Sequence, residues 1–111
     1  MTMPWVPFDD RGLAYGDGLF ETVLLREGQP VLWSYHQARL ALGCQRLGIP
    51  MPADSALADT WKTPAEAPLE VLKVIVTRGS GGRGYALPDQ VAPRLLSRRA
   101  PFAASPERWQ Q

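Results

Sequence analysis

Cysteine occurs once in the chain, at Cys44, so no disulfide can form within it. Histidine also occurs once, at His36, and a single histidine without a second one or a cysteine cluster cannot build a metal site. Lysine is scarce as well, with Lys62 and Lys73 only. No apolar run reaches the length of a membrane span. The first residues, Met1-Thr2-Met3-Pro4-Trp5, lack the pattern of a signal peptide. The formal net charge of +1 gives no electrostatic case for nucleic acid or a membrane surface. These absences leave a cytoplasmic protein as the expectation, with Cys44 a buried thiol on a helix.

What is present suits a packed domain. The 111 residues suffice for one domain with a modest core, and a hydrophobic content of 45% is too high for a disordered chain. Charge is uneven: five arginines against one acid, Asp89, lie between Arg78 and Arg99. That density reads either as an anion site or as a solvated edge.

The spacing predicts an extended lead-in over residues 1–8, then a turn at Gly16-Asp17-Gly18. A strand follows over 19–26, with Phe20, Thr22 and Leu24 on one face. Glu27-Gly28-Gln29-Pro30 reads as a turn and Val31-Leu32-Trp33 as the return strand of a hairpin. Ser34, with Gln37 three residues on, matches a capping box and opens a helix that ends at Gly48. Tyr35, Ala38 and Leu42, flanked by Leu40, Cys44 and Leu47, are the expected core side of that helix. His36, Arg39, Gly43 and Arg46 form its other stripe, read as wet.

A shorter helix is expected over 53–62 and a loop over 63–68. The β-branched run at 69–78 predicts the firmest strand. Its two faces, Leu69/Val71/Lys73/Ile75 and Leu72/Val74/Val76, both largely apolar, imply a layer packed on each side. A glycine-rich loop follows, and a final strand is expected over 94–102 before a polar tail. The fold class is therefore α+β: a mainly antiparallel sheet with two helices.

Several motifs could carry chemistry. Arg78-Gly79-Ser80-Gly81-Gly82-Arg83-Gly84-Tyr85 has four glycines that let N–H groups converge, between two arginines that can fork onto an anion. No Gly-Lys-Ser/Thr follows, so it is not a Walker loop, and a flexible connection between strands explains it equally well. Arg39, three residues after His36, either reaches an anion or is simply exposed.

Taken together, three strings resemble the class IV aminotransferase family, pyridoxal-phosphate (PLP) enzymes of fold type IV. They are Asp9-Asp10-Arg11-Gly12 with Gly16-Asp17-Gly18-Leu19-Phe20-Glu21, His36-x-x-Arg39-Leu40, and the Leu72-to-Tyr85 run. The Arg-Gly-x-Gly-Gly-Arg-Gly-Tyr wording is most similar to the 4-amino-4-deoxychorismate lyases within that family. The resemblance implies that the chain is the first domain of a two-domain, dimeric enzyme. It implies that Arg39 contacts the cofactor phosphate, and that Arg83, Tyr85 and Phe20 face a small-molecule substrate. His36 takes a supporting role. The implied reaction is elimination of pyruvate to leave 4-aminobenzoate, a step of folate synthesis.

The family's cofactor-bearing lysine matches neither Lys62 nor Lys73 and is expected in a second domain beyond Gln111, so no catalytic residue is assigned in this chain. Two other readings stand beside it: a branched-chain or D-amino acid aminotransferase, and a non-catalytic dimerisation or binding module. An apolar surface around Phe20, Tyr85 and either the Leu72/Val74/Val76 or the Ile75 face is expected, for a partner to cover.

Overall fold

The structure is a computed structural model, described here for residues 6–81 and 92–102. A short helix α1 (Arg11–Tyr15) leads into β1 (Gly18–Arg26), β2 (Gln29–Pro30), α2 (Trp33–Leu47), α3 (Asp54–Asp59), β3 (Leu69–Thr77) and β4 (Arg94–Pro101). The strands form one sheet in the order β2-β1-β3-β4, every neighbouring pair antiparallel. The α+β expectation holds.

Register decides which side chains share a face. Phe20 lies opposite Ile75, Thr22 opposite Lys73, and Val23 opposite Leu72. On β4, Leu96 lies opposite Ile75 and Arg98 opposite Lys73. Because side chains alternate along a strand, one sheet face carries Val23, Leu25, Leu72, Val74 and Val76. These are buried with Leu40 and Cys44 of α2, Ile49, and Leu57 of α3. Each fully buried aliphatic contributes about 1.5–3 kcal/mol. Trp33 and Trp61 seal one end of this core, edge to face at 4.6 Å.

The opposite face carries Phe20, Thr22, Lys73, Ile75 and Leu96, and is open among the described residues. The expectation of a layer on both sides is therefore met on one side only. The apolar surface expected at Leu72/Val74/Val76 is the core instead, while Phe20 is 58% exposed and Ile75 half-buried beside it.

Four local expectations are corrected. Val31-Leu32-Trp33 is not a return strand. Glu27 and Gly28 both take positive φ (49° and 78°), as a two-residue hairpin turn requires, and the return strand is only Gln29–Pro30, with one further bond from the Val31 N–H to the Leu24 carbonyl. Leu32 then turns left-handed at φ 58° and starts the helix one residue early, at Trp33. Ser34 is thus inside the first turn and caps nothing; Gln37 Nε2 donates instead to Asp54 Oδ1 at 2.8 Å, tying α2 to the start of α3.

The buried side of α2 is only partly the expected one: Leu40 and Cys44 are buried and Arg39 and Arg46 exposed, as read, but the rest of the two stripes changes places. Tyr35, Ala38, Leu42 and Leu47 are exposed, whereas His36 and Gly43 of the supposed wet stripe meet the sheet. Leu40 and Cys44 fix this rotation, and Gly43 stands directly over Leu19. The second helix is shorter than expected because the Thr60 hydroxyl and amide both return to the Leu57 carbonyl and close it. Between the lead-in and the turn at Gly16, Asp10 caps a short helix, its Oδ1 accepting from the Leu13 N–H at 3.1 Å. None of the helices among the described residues is long and apolar enough to cross a membrane.

Candidate active-site wall

Two hollows flank Phe20. One, of about 430 Å3, lies on the open face between α1 and the sheet, lined by Leu13, Phe20, Lys73, Ile75 and Leu96 among others. Its walls are apolar, and its polar groups include the Lys73 ammonium, which sits 4.6 Å from the centre of the Phe20 ring. The other, of about 500 Å3, lies at β1 beside α2 and is lined by Gly18, Phe20, Glu21, Thr22, His36 and Arg39. Gly18 belongs to both, and a Cβ there would come within 2.6 Å of the Val76 carbonyl oxygen, so only glycine lets β1 lie this close to β3.

Arg39 stands in a small cluster. Its Nη1 donates to the Tyr35 hydroxyl at 3.3 Å, and its guanidinium lies 5.5 Å from the Tyr35 ring centre. Its Nε is 3.6 Å from Oε2 of Glu21, whose other oxygen is 2.8 Å from Nδ1 of His36. Glu21 is buried and His36 nearly so, while Arg39 is 58% exposed. A guanidinium has five N–H groups in a planar fork, so these contacts leave donors turned outward. Fixed charge and free donors at a hollow suit an anion such as a phosphate.

The arginines around the glycine-rich loop behave differently. Arg78 is buried; its Nε donates to Asp17 Oδ2 at 2.7 Å, and its terminal nitrogens donate to the carbonyls of Leu47 and Gly48 at the end of α2. Arg11 Nε donates to the same Asp17 oxygen at 3.0 Å. Burial disfavours the Asp17 charge, yet the hydrogen bonds from Arg78 and Arg11 outweigh it and hold the carboxyl below its ordinary value. Arg94 reaches the fully buried Asp10, and Arg99 forks onto Glu70 at 2.8 and 2.9 Å. The bond to Arg99 lowers the Glu70 carboxyl despite its burial. Arg78 is therefore not one of two anion clamps, because its donors are taken inside the protein.

Of the residues singled out in the sequence, Arg39 and Phe20 are brought to one hollow. Arg83 and Tyr85 lie outside the described residues. Lys62 pairs with Asp59 at 2.9 Å and lines neither hollow. Glu21 and Lys73 were missed. The strand alternation could have placed Lys73 beside Phe20, but nothing in the sequence says that Glu21 would find His36 across a helix.

The model of the class IV amino-transferases matches residues 18–111, and the chain belongs to that family. Among its relatives, an aminodeoxychorismate lyase from Vibrio harveyi is 32% identical over 111 aligned residues, covering 96% of this chain and 40% of that protein. A crystal structure of 4-amino-4-deoxychorismate lyase from Pseudomonas aeruginosa is 45% identical, with a TM-score of 0.77 over 97% of this chain and 40% of the other. A hypothetical aminotransferase from Mycobacterium tuberculosis, solved in a PLP-bound form, is 26% identical, with a TM-score of 0.69 over 89% of this chain and 34% of the other. The chain thus spans about 40% or less of the length of the relatives it matches.

Proposed function

We propose that this chain forms the first domain, and one wall of the active site, of a PLP-dependent lyase that releases pyruvate from 4-amino-4-deoxychorismate and leaves 4-aminobenzoate. The observation that carries this reading is the meeting of Arg39 and Phe20 at one hollow, in a chain with 45% identity to a 4-amino-4-deoxychorismate lyase. The residues fit the cofactor: a guanidinium with outward donors matches a phosphate, and the neighbouring apolar hollow matches a flat ring.

In this reading Arg39 holds the cofactor phosphate, and its charge persists at any working pH. Phe20 walls the substrate ring and keeps water from it. Arg83, with Tyr85, takes a substrate carboxylate, and Lys73 adds a cation beside Phe20. Bound PLP supplies an electron sink, so the chain's own task is orientation and charge placement. The lysine that carries the cofactor and moves the ring proton belongs to the part of the relatives' length that this chain does not span. That part covers the open sheet face, and the complete enzyme is a homodimer.

The reaction balances without a co-reactant: the bond between the ring carbon and the enol ether oxygen breaks, a ring proton is removed, the ring becomes aromatic, and the released enol takes up a proton to become pyruvate. The complete protein with PLP should release pyruvate and 4-aminobenzoate in equal amounts, and Arg39→Gln should raise the PLP concentration needed for activity. Amino-group exchange with 2-oxoglutarate, without pyruvate release, would contradict the lyase reading and support an aminotransferase.

A further inference from the structure

Arg39 is exposed, and an exposed arginine on a helix ordinarily samples many rotamers. Here three neighbours limit it. Tyr35, one turn back on α2, offers its hydroxyl to Nη1 and its ring face to the guanidinium. Glu21, from β1, places Oε2 beside Nε. His36 holds the other Glu21 oxygen at 2.8 Å, so the carboxylate cannot swing away. Glu21 is also the acidic side chain lining the hollow.

We infer that Glu21, Tyr35 and His36 are positioning residues that hold Arg39 with its outer N–H groups presented to an anion. The inference rests on the reading of Arg39 as a phosphate anchor. A buried carboxylate beside a phosphate site is at first sight unfavourable, since its charge repels the ligand. Its presence is understandable if order matters more than charge: an arginine already held in place loses less freedom on binding. The two roles give opposite signs. If Glu21 were only a counter-charge, removing it would tighten anion binding. If it positions Arg39, removing it loosens binding.

The experiment is a titration of this chain with inorganic phosphate, followed through the Arg39 Nε–H signal by 15N NMR. The order of that N–H is also measured without ligand, using the exposed Arg46 of the same helix as a flexible standard. For Glu21→Ala we expect phosphate affinity to fall roughly five- to tenfold, and Arg39 to become as mobile as Arg46. Glu21→Gln keeps the shape and one oxygen for His36, so its loss should be smaller. Tyr35→Phe, which removes only the hydroxyl, should cost about two- to threefold. The Trp33–Trp61 edge contact, read by fluorescence, reports whether each variant keeps its fold.

Folded Glu21 variants that bind phosphate as tightly as the parent, or more tightly, with Arg39 order unchanged, would overturn the inference. A phosphate response in the backbone amide signals around the hollow that survives Arg39→Gln is a different failure. It would remove Arg39 as the anchor, and the positioning role would fall with it.

Discussion

Two groups of arginines in this chain look alike in sequence and behave in opposite ways. At the mouth of β1 and β3, Arg11 and Arg78 converge on Asp17, while Arg94 meets Asp10. Their guanidiniums are largely buried and their donors turn inward to carboxylates and helix-end carbonyls. On α2, Arg39 touches a carboxylate too, but it is more than half exposed and keeps donors facing a hollow. The first group builds the scaffold; the second is available to a ligand. A count of arginines near a glycine-rich loop cannot tell the two apart, because the difference lies in which carboxylates the fold delivers.

The contrast can be tested from its largest effect downward. Asp17→Ala leaves two buried guanidiniums facing each other without a counter-charge. It should destabilise the chain by about 3–5 kcal/mol in urea unfolding. Next, the two sheet faces should differ: Leu72→Ala, in the core, should cost about 2–5 kcal/mol. Phe20→Ala, on the open face, should stay within about 1 kcal/mol while impairing the complete enzyme. Gly18→Ala should cost about 1–3 kcal/mol, because its methyl meets a strand carbonyl that cannot move alone.

Acid should act through Asp17. Its carboxyl is lowered in the folded chain from the ordinary value of 3.8, so the unfolded chain binds the proton first as pH falls. The stability it contributes is complete above 3.8 and is lost as pH drops through the lowered folded value. Asp17→Asn should flatten that part of the unfolding profile. The smallest effect is expected at Arg39: Arg39→Gln should change stability by no more than about 0.5 kcal/mol.

Much of this was legible in the sequence, for physical reasons. The β-type run around Val23 and the β-branched run around Val74 named the central strands, and Gly48 named the end of α2. The rotation of α2 was not legible, because Tyr35 and Leu42 mark one apolar stripe while Leu40 and Cys44 mark another. Tertiary packing chose the one that puts Gly43 against Leu19 and His36 against Glu21. Leu32 was equally hidden, since a left-handed leucine violates the local preference that the hairpin reading relied on. The motif strings found Arg39 and Phe20 without showing that one hollow joins them. They left Arg78 open between an anion contact and a plain loop residue, because its partners Asp17, Leu47 and Gly48 are distant in sequence.

The most direct measurement is a crystal structure of the complete protein with pyridoxal phosphate bound. The account predicts a phosphate oxygen within about 3.2 Å of an outer nitrogen of Arg39, with Phe20 walling the adjoining space. A phosphate seated away from Arg39, with that guanidinium still turned only to Glu21 and Tyr35, would contradict it.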